Sequence, residues 1–306
     1  MSANPFFSVV VPVHNKFPHL DRSVNSVLNQ TYPHFELILV DDASSDGSSE
    51  KLAEFKDNKI SRFRRDVPGP GGYAARNVGI ENAKYDWICF LDADDTWELD
   101  LLATLAETIK ADKEVEIISW GWYWTKENEK RLDAFSLANK AHASRTFNLI
   151  DFLRGPQPIW TGAVAMKRNV LLKAGKFPEK GFRRGGDMDT WTRCLWHSKK
   201  SVWLKKPMSY YHIDSVNMVT QKVNRETGFI FSPFLQNLLQ TSNDKNLKEA
   251  IKCYQNRYIY IDLNGNVYQG RGINYNLLKK MNLNKQGLWL SLKLHLNNLR
   301  HSLKLI

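Results

Sequence analysis

The chain has 306 residues, of which 42% are hydrophobic and 25% are charged, and its formal net charge is +11. This composition is typical of a folded globular protein and excludes intrinsic disorder. No stretch is apolar enough to span a bilayer and the N-terminus lacks a secretion pattern, so we expect a cytoplasmic protein. The positive charge favours an anionic partner: nucleic acid, an anionic membrane surface or a phosphorylated substrate.

The first hundred residues alternate strands with helices. Apolar runs at 8–13, 35–40 and 87–91 predict buried strands, and apolar residues at helical spacing predict a helix at 20–28. Residues 60–64 predict a short polar strand at the edge of the sheet. Strands that alternate with helices indicate βαβ units, so we expect an α/β domain with a mostly parallel sheet.

Carboxylates follow two of these strands at the point where each strand ends. Asp41 and Asp42 come after the second strand, and Asp92, Asp94 and Asp95 come after a later one. Ligands of open α/β sheets bind beyond the carboxyl ends of the strands, and hard divalent ions prefer oxygen ligands together with substrate phosphates. The pattern predicts a metal-bridged phosphate site, and an acidic turn that only caps the next helix is the alternative.

A glycine-rich loop at 69–72 leads into a predicted helix that carries Arg76. The loop begins a formal G-x-G-x-x-A pattern, as in dinucleotide-binding turns. However, it follows a third, polar strand, and three nearby carboxylates would repel a pyrophosphate unless a metal intervened. We therefore reject a dinucleotide site and expect Arg76 either to approach the acidic edge or simply to be solvated on its helix.

Aromatic residues mark the next part of the chain. Alternation places Trp120, Trp122 and Trp124 on one face of a strand, either in the core or as a stacking platform for a sugar ring. We favour the core for Trp120 and leave the other two open. Residues 126–144 are polar and predict an irregular, mobile loop.

Two aspartates stand at the start of a later predicted helix. A glycine-rich turn precedes Asp187 and Asp189, and an aspartate helix cap explains one of them but not easily both. His212 ends the last predicted strand, where a lone histidine is more often structural than a ligand. The residue pattern alone leaves the roles of all three open.

The tail differs in character from the rest of the chain. Helical patterns at 244–261 precede an asparagine- and glycine-rich stretch, and leucines then fall on one stripe of a helix at 287–306 that also carries basic residues. Such a helix can lie on an anionic membrane surface, or it can dock on the domain or on a second subunit to form a homodimer. We favour peripheral contact with a membrane.

The order of these blocks resembles the family of inverting nucleotide-sugar glycosyltransferases, family 2, with the GT-A fold. The resemblance rests on VVVPVHN at 9–15, SVLNQTY at 26–32, ELILVDDASSDGS at 36–48, ARNVG at 75–79 and FLDADD at 90–95, which contains the family's D-x-D motif. It implies a GT-A type α/β fold with a mostly parallel, Rossmann-like sheet flanked by helices and a C-terminal helical extension. We predict a nucleotide-sugar-binding half at 1–115, an acceptor-binding half at 116–220 and the extension at 221–306.

The resemblance also implies a role for individual residues. The nucleotide-sugar site would comprise Pro12, Val13, His14, Asn15, Asp41, Arg76, Asp92, Ala93 and Asp94. Asp94 and His212 would hold a divalent metal, Mn²⁺ or Mg²⁺. Asp187 would be the catalytic base, and Trp160, Asp189 and Trp191 would contact the acceptor. The family pattern E-D-x-D-L-W is altered here, since Gly186 replaces the glutamate and Thr190 replaces the leucine, so Asp189 is a rival for the base.

A family member of this kind would move a hexose or N-acetylhexosamine from a UDP-sugar to a hydroxyl of a glycan or lipid-linked glycan. The expected setting is bacterial lipopolysaccharide, O-antigen or capsule biosynthesis, in the cytoplasm or at the inner face of the cell membrane. The alternative is an inactive family member that acts as a nucleotide-binding partner subunit. A nucleotidyltransferase would need a basic loop after the first strand, and a nucleic-acid-binding protein would need clustered basic residues; the sequence favours neither.

Overall fold

The computed structural model describes residues 4–127, 129–218, 220 and 226–303. The chain divides into two compact units. One consists of Met1–Leu149 and Pro156–Asn224, and the other of Ile150–Gly155 and Arg225–Ile306. The predicted division at residues 115 and 220 stays a prediction.

The first unit is built on one sheet. Its strands are β1 (Phe7–Val13), β2 (Phe35–Asp42), β3 (Ile60–Arg65), β4 (Trp87–Phe90), β5 (Thr96–Trp97), β6 (Ile117–Lys126), β7 (Glu129–Leu132), β8 (Arg145–Phe147), β9 (Val164–Lys167) and β10 (Ser201–His212). Their order is β3-β2-β1-β4-β9-β6-β10-β5, with β7 beside β6 and β8 beside β10. Strand β1 is parallel to β2 and β4, β2 is parallel to β3, and β6 is parallel to β10. Strand β9 is antiparallel to both β4 and β6, and the short strands β5, β7 and β8 also pair in antiparallel fashion. The sheet is therefore mixed and mostly parallel, as predicted.

Helices flank this sheet and make up most of the second unit. They are α1 (Leu20–Leu28), α2 (Ser48–Glu54), α3 (Tyr73–Asn82), α4 (Leu101–Ala111), α5 (Ala134–Ala138), α6 (Leu149–Arg154), α7 (Arg168–Lys173), α8 (Gly186–His197), α9 (Pro233–Thr241), α10 (Lys245–Tyr268), α11 (Tyr275–Leu278) and α12 (Lys285–Ser302). Short 3₁₀ turns occur at Phe17–His19, Pro70–Gly72, Thr161–Ala163 and Gly228–Phe231.

The central strands form where the sequence is continuously apolar. Every residue of β2 and β4 is buried, as expected for parallel strands that are covered by helices on both faces. In contrast, β3 alternates between partly buried and exposed residues and lies at the edge, as its polar sequence predicts. The chain runs outward from β1 through β2 to β3, and α3 then returns it to β4 on the other side of β1. The direction of winding reverses between β1 and β4, which is where such sheets bind ligands.

The loop predicted at 126–144 is wrong, because the chain forms β7 and α5 there. Asp133, which is fully buried, explains the order. Its carboxylate accepts hydrogen bonds from the backbone N–H of Trp122 at 3.1 Å and of Ser136 at 2.9 Å. It therefore ties the start of α5 to β6.

The second unit contains a longer helix than the sequence predicts. Helix α10 does not end near residue 261 but continues to Tyr268 through an asparagine- and glycine-rich stretch. Packing overrides the weak helix propensity there, since Asn297 of α12 donates to Asn264 Oδ1 at 2.9 Å. In the described part of the chain, no helix is both long enough and apolar enough to cross a bilayer.

Candidate active site

Three loops meet at the carboxyl ends of β1, β2 and β4. Asn15, which follows β1, accepts a hydrogen bond from the backbone N–H of Ser45 at 2.8 Å, and its own N–H donates to Ser44 Oγ at 3.0 Å. Lys16 then reaches Asp94, which follows β4, with 2.5 Å between Nζ and Oδ2. The loops predicted to carry the nucleotide-sugar site thus form one edge.

Asp41 and Asp42 end β2, and both are buried. Asp42 holds the chain after β3, because it pairs with Arg65 and accepts from the backbone N–H of Gly69 at 3.0 Å. Asp41 Oδ1 accepts from the N–H of Ser44 at 3.0 Å, whereas its Oδ2 has no hydrogen-bond partner among the described residues and lies 3.7 Å from Arg64 Nε. A buried carboxylate oxygen without a hydrogen bond can accept one from a ligand N–H.

The predicted residues of β1 and its loop differ in exposure. Val13 is fully buried and supports the strand, Pro12 is partly exposed, and His14 is exposed. His14 Nδ1 lies 2.8 Å from the carbonyl oxygen of Asp42, which can only accept, so Nδ1 carries the proton. In the neutral ring, Nε2 is then free of a proton and can accept a hydrogen bond.

Arg76 enters the same edge from the first turn of α3. It is buried, its Nη1 donates to the carbonyl oxygen of Gly71 at 2.8 Å, and its Nη2 pairs with Asp92. The Nε atom is buried and makes no hydrogen bond with any residue that the structure describes. The glycine loop predicted to lead Arg76 to the acidic edge does so, and solvation on a helix face does not describe this arginine.

The D-x-D segment carries its three carboxylates into different surroundings. Asp92 is partly exposed, Ala93 is buried, and Asp94 faces Lys16. Asp95 is fully buried, and its burial, together with the charges of Asp94 and Asp92, raises its pKa well above the usual range. Asp95 Oδ1 accepts from the backbone N–H of His212 at 2.9 Å, while Oδ2 has no hydrogen-bond partner within the described ranges of the chain.

The fit to a divalent ion depends on the donor set at this segment. Among the described residues, no group of three or more His, Cys, Asp and Glu side chains is arranged to hold a metal. Mn²⁺ and Mg²⁺ sites that involve a diphosphate need only one or two protein carboxylates. Asp94, whose carboxylate already pairs with the cation of Lys16, offers one such carboxylate.

His212 lies at the end of β10, beside Thr96. Its Nε2 is 3.1 Å from Thr96 Oγ1. Burial, with a smaller contribution from the charge of Arg22, lowers the pKa of His212 to about 4, so the ring is neutral near pH 7. Neutral imidazole is the form that binds metals, and the metal role of His212 stays a prediction.

Asp187 stands in the first turn of α8, next to the start of α3. The backbone N–H of Gly186 donates to the Tyr73 hydroxyl at 3.0 Å, which joins the two helix N-termini. Asp187 is partly exposed, and burial of its carboxyl group raises its pKa, while the charge of Arg76 opposes this rise. A carboxylate with a raised pKa beside Asp92 and Arg76 has the properties of a general base at the donor edge.

The other two residues of this helix with predicted roles have different surroundings. Asp189 is buried, and its Oδ2 lies 2.9 Å from Nε and 2.8 Å from Nη2 of Arg193. Arg193 also donates to the backbone carbonyl of Lys176 at 2.9 Å. Trp191 is fully buried against Phe90. Because Asp189 is buried and paired with Arg193, Asp187 is the better candidate for the base.

Trp160 belongs to an aromatic cluster. Its ring centroid is 5.2 Å from that of Tyr211 and 5.6 Å from that of Trp122, and Tyr211 in turn lies 4.7 Å from Trp124. Burial raises the pKa of Tyr211 to about 12, with added contributions from the charges of the D-x-D carboxylates. Trp120 is fully buried, as predicted, while Trp160, Trp124 and Tyr211 are partly exposed. The cluster therefore presents partly exposed aromatic rings near the acidic segment.

The comparisons with known proteins identify the family. The family model described as "Glycosyl transferase family 2" matches residues 8–172, which is more than half of the chain. The chain belongs to glycosyl transferase family 2. An uncharacterized glycosyltransferase from Rickettsia conorii is 30% identical over 286 residues, covering 82% of this chain and 44% of the relative. The chain thus spans less than half the length of that relative.

Two further similarities, to a second curated relative and to a solved structure, extend this result. The putative teichuronic acid biosynthesis glycosyltransferase TuaG of Bacillus subtilis is 26% identical over 241 residues, covering 74% of this chain and 87% of TuaG. The crystal structure of S. aureus TarS 1-349 in complex with UDP-GlcNAc aligns with a TM-score of 0.72 at 15% identity, over 97% of this chain and 89% of TarS. The fold is therefore the GT-A fold that the sequence predicts.

Three residues at this family-2 site escaped the sequence prediction. Lys16 pairs with Asp94, Arg22 of α1 donates to the carbonyl oxygen of Asp94 at 2.8 Å, and Tyr211 joins the aromatic cluster. Arg22 also donates to Ser215 Oγ at 2.9 Å. Only Lys16 carried a signal in the sequence, since it directly follows the first-strand block; the others become neighbours through folding alone.

Proposed function

We propose that this chain transfers a hexose or N-acetylhexosamine from a UDP-sugar to a hydroxyl group of a glycan acceptor, with inversion at the anomeric carbon. The observation that supports this most is the placement of Asp187 beside Arg76 and Asp92. Asp187 lies on α8 and Arg76 on α3, and the hydrogen bond between Gly186 and Tyr73 joins these two helices. It puts a candidate base next to the groups that would bind the donor. The bound UDP-GlcNAc of the TarS complex supports the choice of donor class.

Asp41 would recognise the nucleobase. Its Oδ2 is buried and accepts no hydrogen bond from the described residues, and the N3–H of uracil can donate one to it. Cytosine and adenine have no proton on the corresponding ring nitrogen, so this contact would disfavour them. Guanine has an N1–H that could also donate, so a nucleotide panel must separate UDP- from GDP-sugars. His14 and Pro12 would border the same base.

Arg76 would bind the diphosphate. Its guanidinium is buried at the N-terminus of α3, where the helix dipole adds to its positive charge. Arg76 is paired with Asp92, so a diphosphate that binds Arg76 would compete for this contact and release Asp92 toward the ribose or the sugar. Asp94, with His212, would hold Mn²⁺ or Mg²⁺, which when bound neutralises charge on the leaving diphosphate.

Asp187 would take the proton of the acceptor hydroxyl. The bond from the acceptor oxygen to the anomeric carbon forms as the bond from that carbon to the diphosphate oxygen breaks, and the electron pair leaves with the diphosphate. Attack opposite the leaving group inverts the anomeric centre. Burial raises the pKa of Asp187, which makes it a stronger base than an ordinary aspartate.

The aromatic cluster of Trp160, Tyr211 and Trp124 would position the acceptor. Partly exposed aromatic rings stack against sugar rings, and these lie near the carboxylates of the D-x-D segment. The similarity to TuaG, a putative teichuronic acid biosynthesis glycosyltransferase, supports an acceptor in bacterial surface polysaccharide. We propose lipopolysaccharide, O-antigen or capsule as its setting.

The test is release of free nucleoside diphosphate from a panel of UDP-, GDP- and dTDP-sugars, with Mn²⁺ or with EDTA. We expect release from a UDP-sugar only, lost with EDTA and in Asp187→Asn. Asp41→Asn should weaken UDP binding about 10-fold or more, because a hydrogen bond to a charged group is lost. Asp46→Asn, on the same loop, is the control.

An inactive partner subunit is the alternative that the altered family pattern raises. Metal-dependent UDP binding by calorimetry without release from any sugar nucleotide, even with acceptor polysaccharide present, would favour that alternative. Absence of UDP binding would contradict both.

A further inference from the structure

Helix α12 has two faces with apolar residues, and the described part of the chain covers only one of them. Gly287, Leu290, Leu294 and Asn297 are buried on the side that packs along α10. Six large apolar residues on the other side are between 47% and 60% exposed: Leu288, Trp289, Leu292, Leu296, Leu299 and Leu303. At about 100° per residue they fall within an arc of about 100°. We call this set the α12 leucine face.

The charged residues of α12 and of the segment that leads into it have one sign. Asp262 is the last acidic residue of the chain, and residues 263–306 contain seven lysines and arginines and no aspartate or glutamate. On α12 itself, Lys285, Lys293 and Arg300 are exposed. Lys293 and Arg300 project within about 40° of one border of the leucine face. Lys293 Nζ also lies 5.1 Å from the centre of the Trp289 ring.

We propose that the α12 leucine face binds an anionic lipid surface. An amphipathic helix with leucines and a tryptophan on one side and lysine and arginine beside them inserts its apolar face at the level of the headgroups, where the basic residues meet anionic lipids. Because α12 is already folded against α10, binding requires no further ordering of the helix. The contact does not depend on the transfer reaction, since none of these residues belongs to the donor site.

A second copy of the chain fits the leucine face less well. Two such faces in contact would bring Lys285, Lys293 and Arg300 of both copies together, with no acidic residue on α12 to pair with them. Like charges placed opposite one another disfavour an interface. An anionic bilayer supplies the missing negative charge.

The experiment is flotation of the full chain with vesicles of phosphatidylcholine, with and without phosphatidylglycerol. We expect flotation with the anionic vesicles only, weakened by salt. Leu292→Gln with Leu296→Gln should abolish it. Lys293→Gln with Arg300→Gln should weaken binding on the order of 25-fold, because each basic residue near an anionic surface contributes about a factor of five.

Matched controls make the same change in polarity or net charge at sites away from α12. Leu137→Gln with Leu172→Gln replaces exposed leucines elsewhere, and Lys113→Gln with Lys205→Gln removes the same charge elsewhere. Both controls should float like the unaltered chain. Equal flotation with neutral and anionic vesicles, or equal losses in α12 variants and controls, would overturn the proposal. So would a dimer, measured by light scattering, that only the α12 leucine variant dissociates.

Discussion

The ammonium group of Lys16 lies 2.5 Å from Oδ2 of Asp94, and both side chains are largely buried. The ammonium also donates to the carbonyl oxygen of Val216 at 2.7 Å. Two cations cannot approach one carboxylate oxygen this closely without strong repulsion. Lys16 therefore competes with any divalent ion that uses Asp94.

Replacing Lys16 should strengthen metal binding in the absence of nucleotide. We expect Lys16→Gln to bind Mn²⁺ about 10-fold more tightly, since a neighbouring positive charge is removed from a partly buried site. The free Mn²⁺ signal in electron paramagnetic resonance measures this directly. Lys206→Gln, which breaks the exposed pair with Asp100, is the control and should leave the affinity unchanged. Weaker Mn²⁺ binding in Lys16→Gln would show that Lys16 organises Asp94 for the ion instead.

The same substitution at Asp187 and at Asp189 should affect different properties, the transfer rate in the first case and the stability of the fold in the second. Asp187→Asn should lower kcat by at least 10²-fold with little change in UDP affinity, because a general base is lost. Asp189→Asn should instead lower the free energy of unfolding by about 2 kcal/mol, because its buried bonds to Arg193 weaken. Urea denaturation and transfer kinetics on both variants separate the two roles. A larger loss of kcat in Asp189→Asn than in Asp187→Asn, at equal folded fraction, would reverse the assignment.

The pH dependence of transfer should report the charge of Arg76. Burial raises the pKa of Asp187 above its usual value of 3.8, and Arg76 opposes this rise. The rate should increase with pH as Asp187 loses its proton, with a midpoint above 3.8. Arg76→Gln removes the opposing charge, so the midpoint should move upward by about one pH unit or more.

Saturating donor concentrations are needed for this comparison, since Arg76 is also expected to bind the diphosphate. Arg62→Gln, whose side chain donates to the backbone carbonyl of Leu52, is the control and should leave the midpoint in place. The raised pKa of Asp187 also affects the free energy of unfolding. Protonated Asp187 contributes to this free energy at low pH, and the contribution is lost as the pH increases through the pKa of Asp187 in the folded protein. An unshifted midpoint in Arg76→Gln would show that another group controls the acidic limb.

Gly186, the departure from the family pattern, should not tolerate a side chain. A Cβ atom there would lie 2.8 Å from the Tyr73 ring and 2.9 Å from Pro178. Gly186→Ala should therefore lower the free energy of unfolding by about 1 to 3 kcal/mol, measured by urea denaturation. Gly265→Ala is the matched control, because a Cβ there meets nothing within 4 Å, and it should be neutral or stabilising. Equal stability of Gly186→Ala and the unaltered chain would contradict this packing argument.

The donor half of the fold was predictable because its signals are local. Continuous apolar runs identify β1, β2 and β4, and the residues that follow parallel strands must meet at one edge. The sequence also shows that Gly186 replaces the family glutamate before Asp187. It does not show that the N–H of Gly186 donates to Tyr73, because these two residues are far apart in sequence.

Other features depend on tertiary packing that periodicity does not encode. The position of Trp191 in the sequence predicts contact with the acceptor, yet its indole is fully buried. The leucines of α12 repeat at helical spacing on two sides, and the sequence does not say which side faces α10. Asp133 needs Trp122 and Ser136 as partners before it can order the segment predicted to be a loop.

The uneven distribution of charge along the chain has a consequence for its behaviour in salt. Residues 263–306 contribute seven positive charges to the net charge of +11, so the preceding part of the chain carries only +4. Retention on a cation exchanger should therefore depend mainly on this last segment. Added salt should weaken what that segment attracts, while UDP affinity, which depends on a few close and partly buried contacts, should change little over the same range.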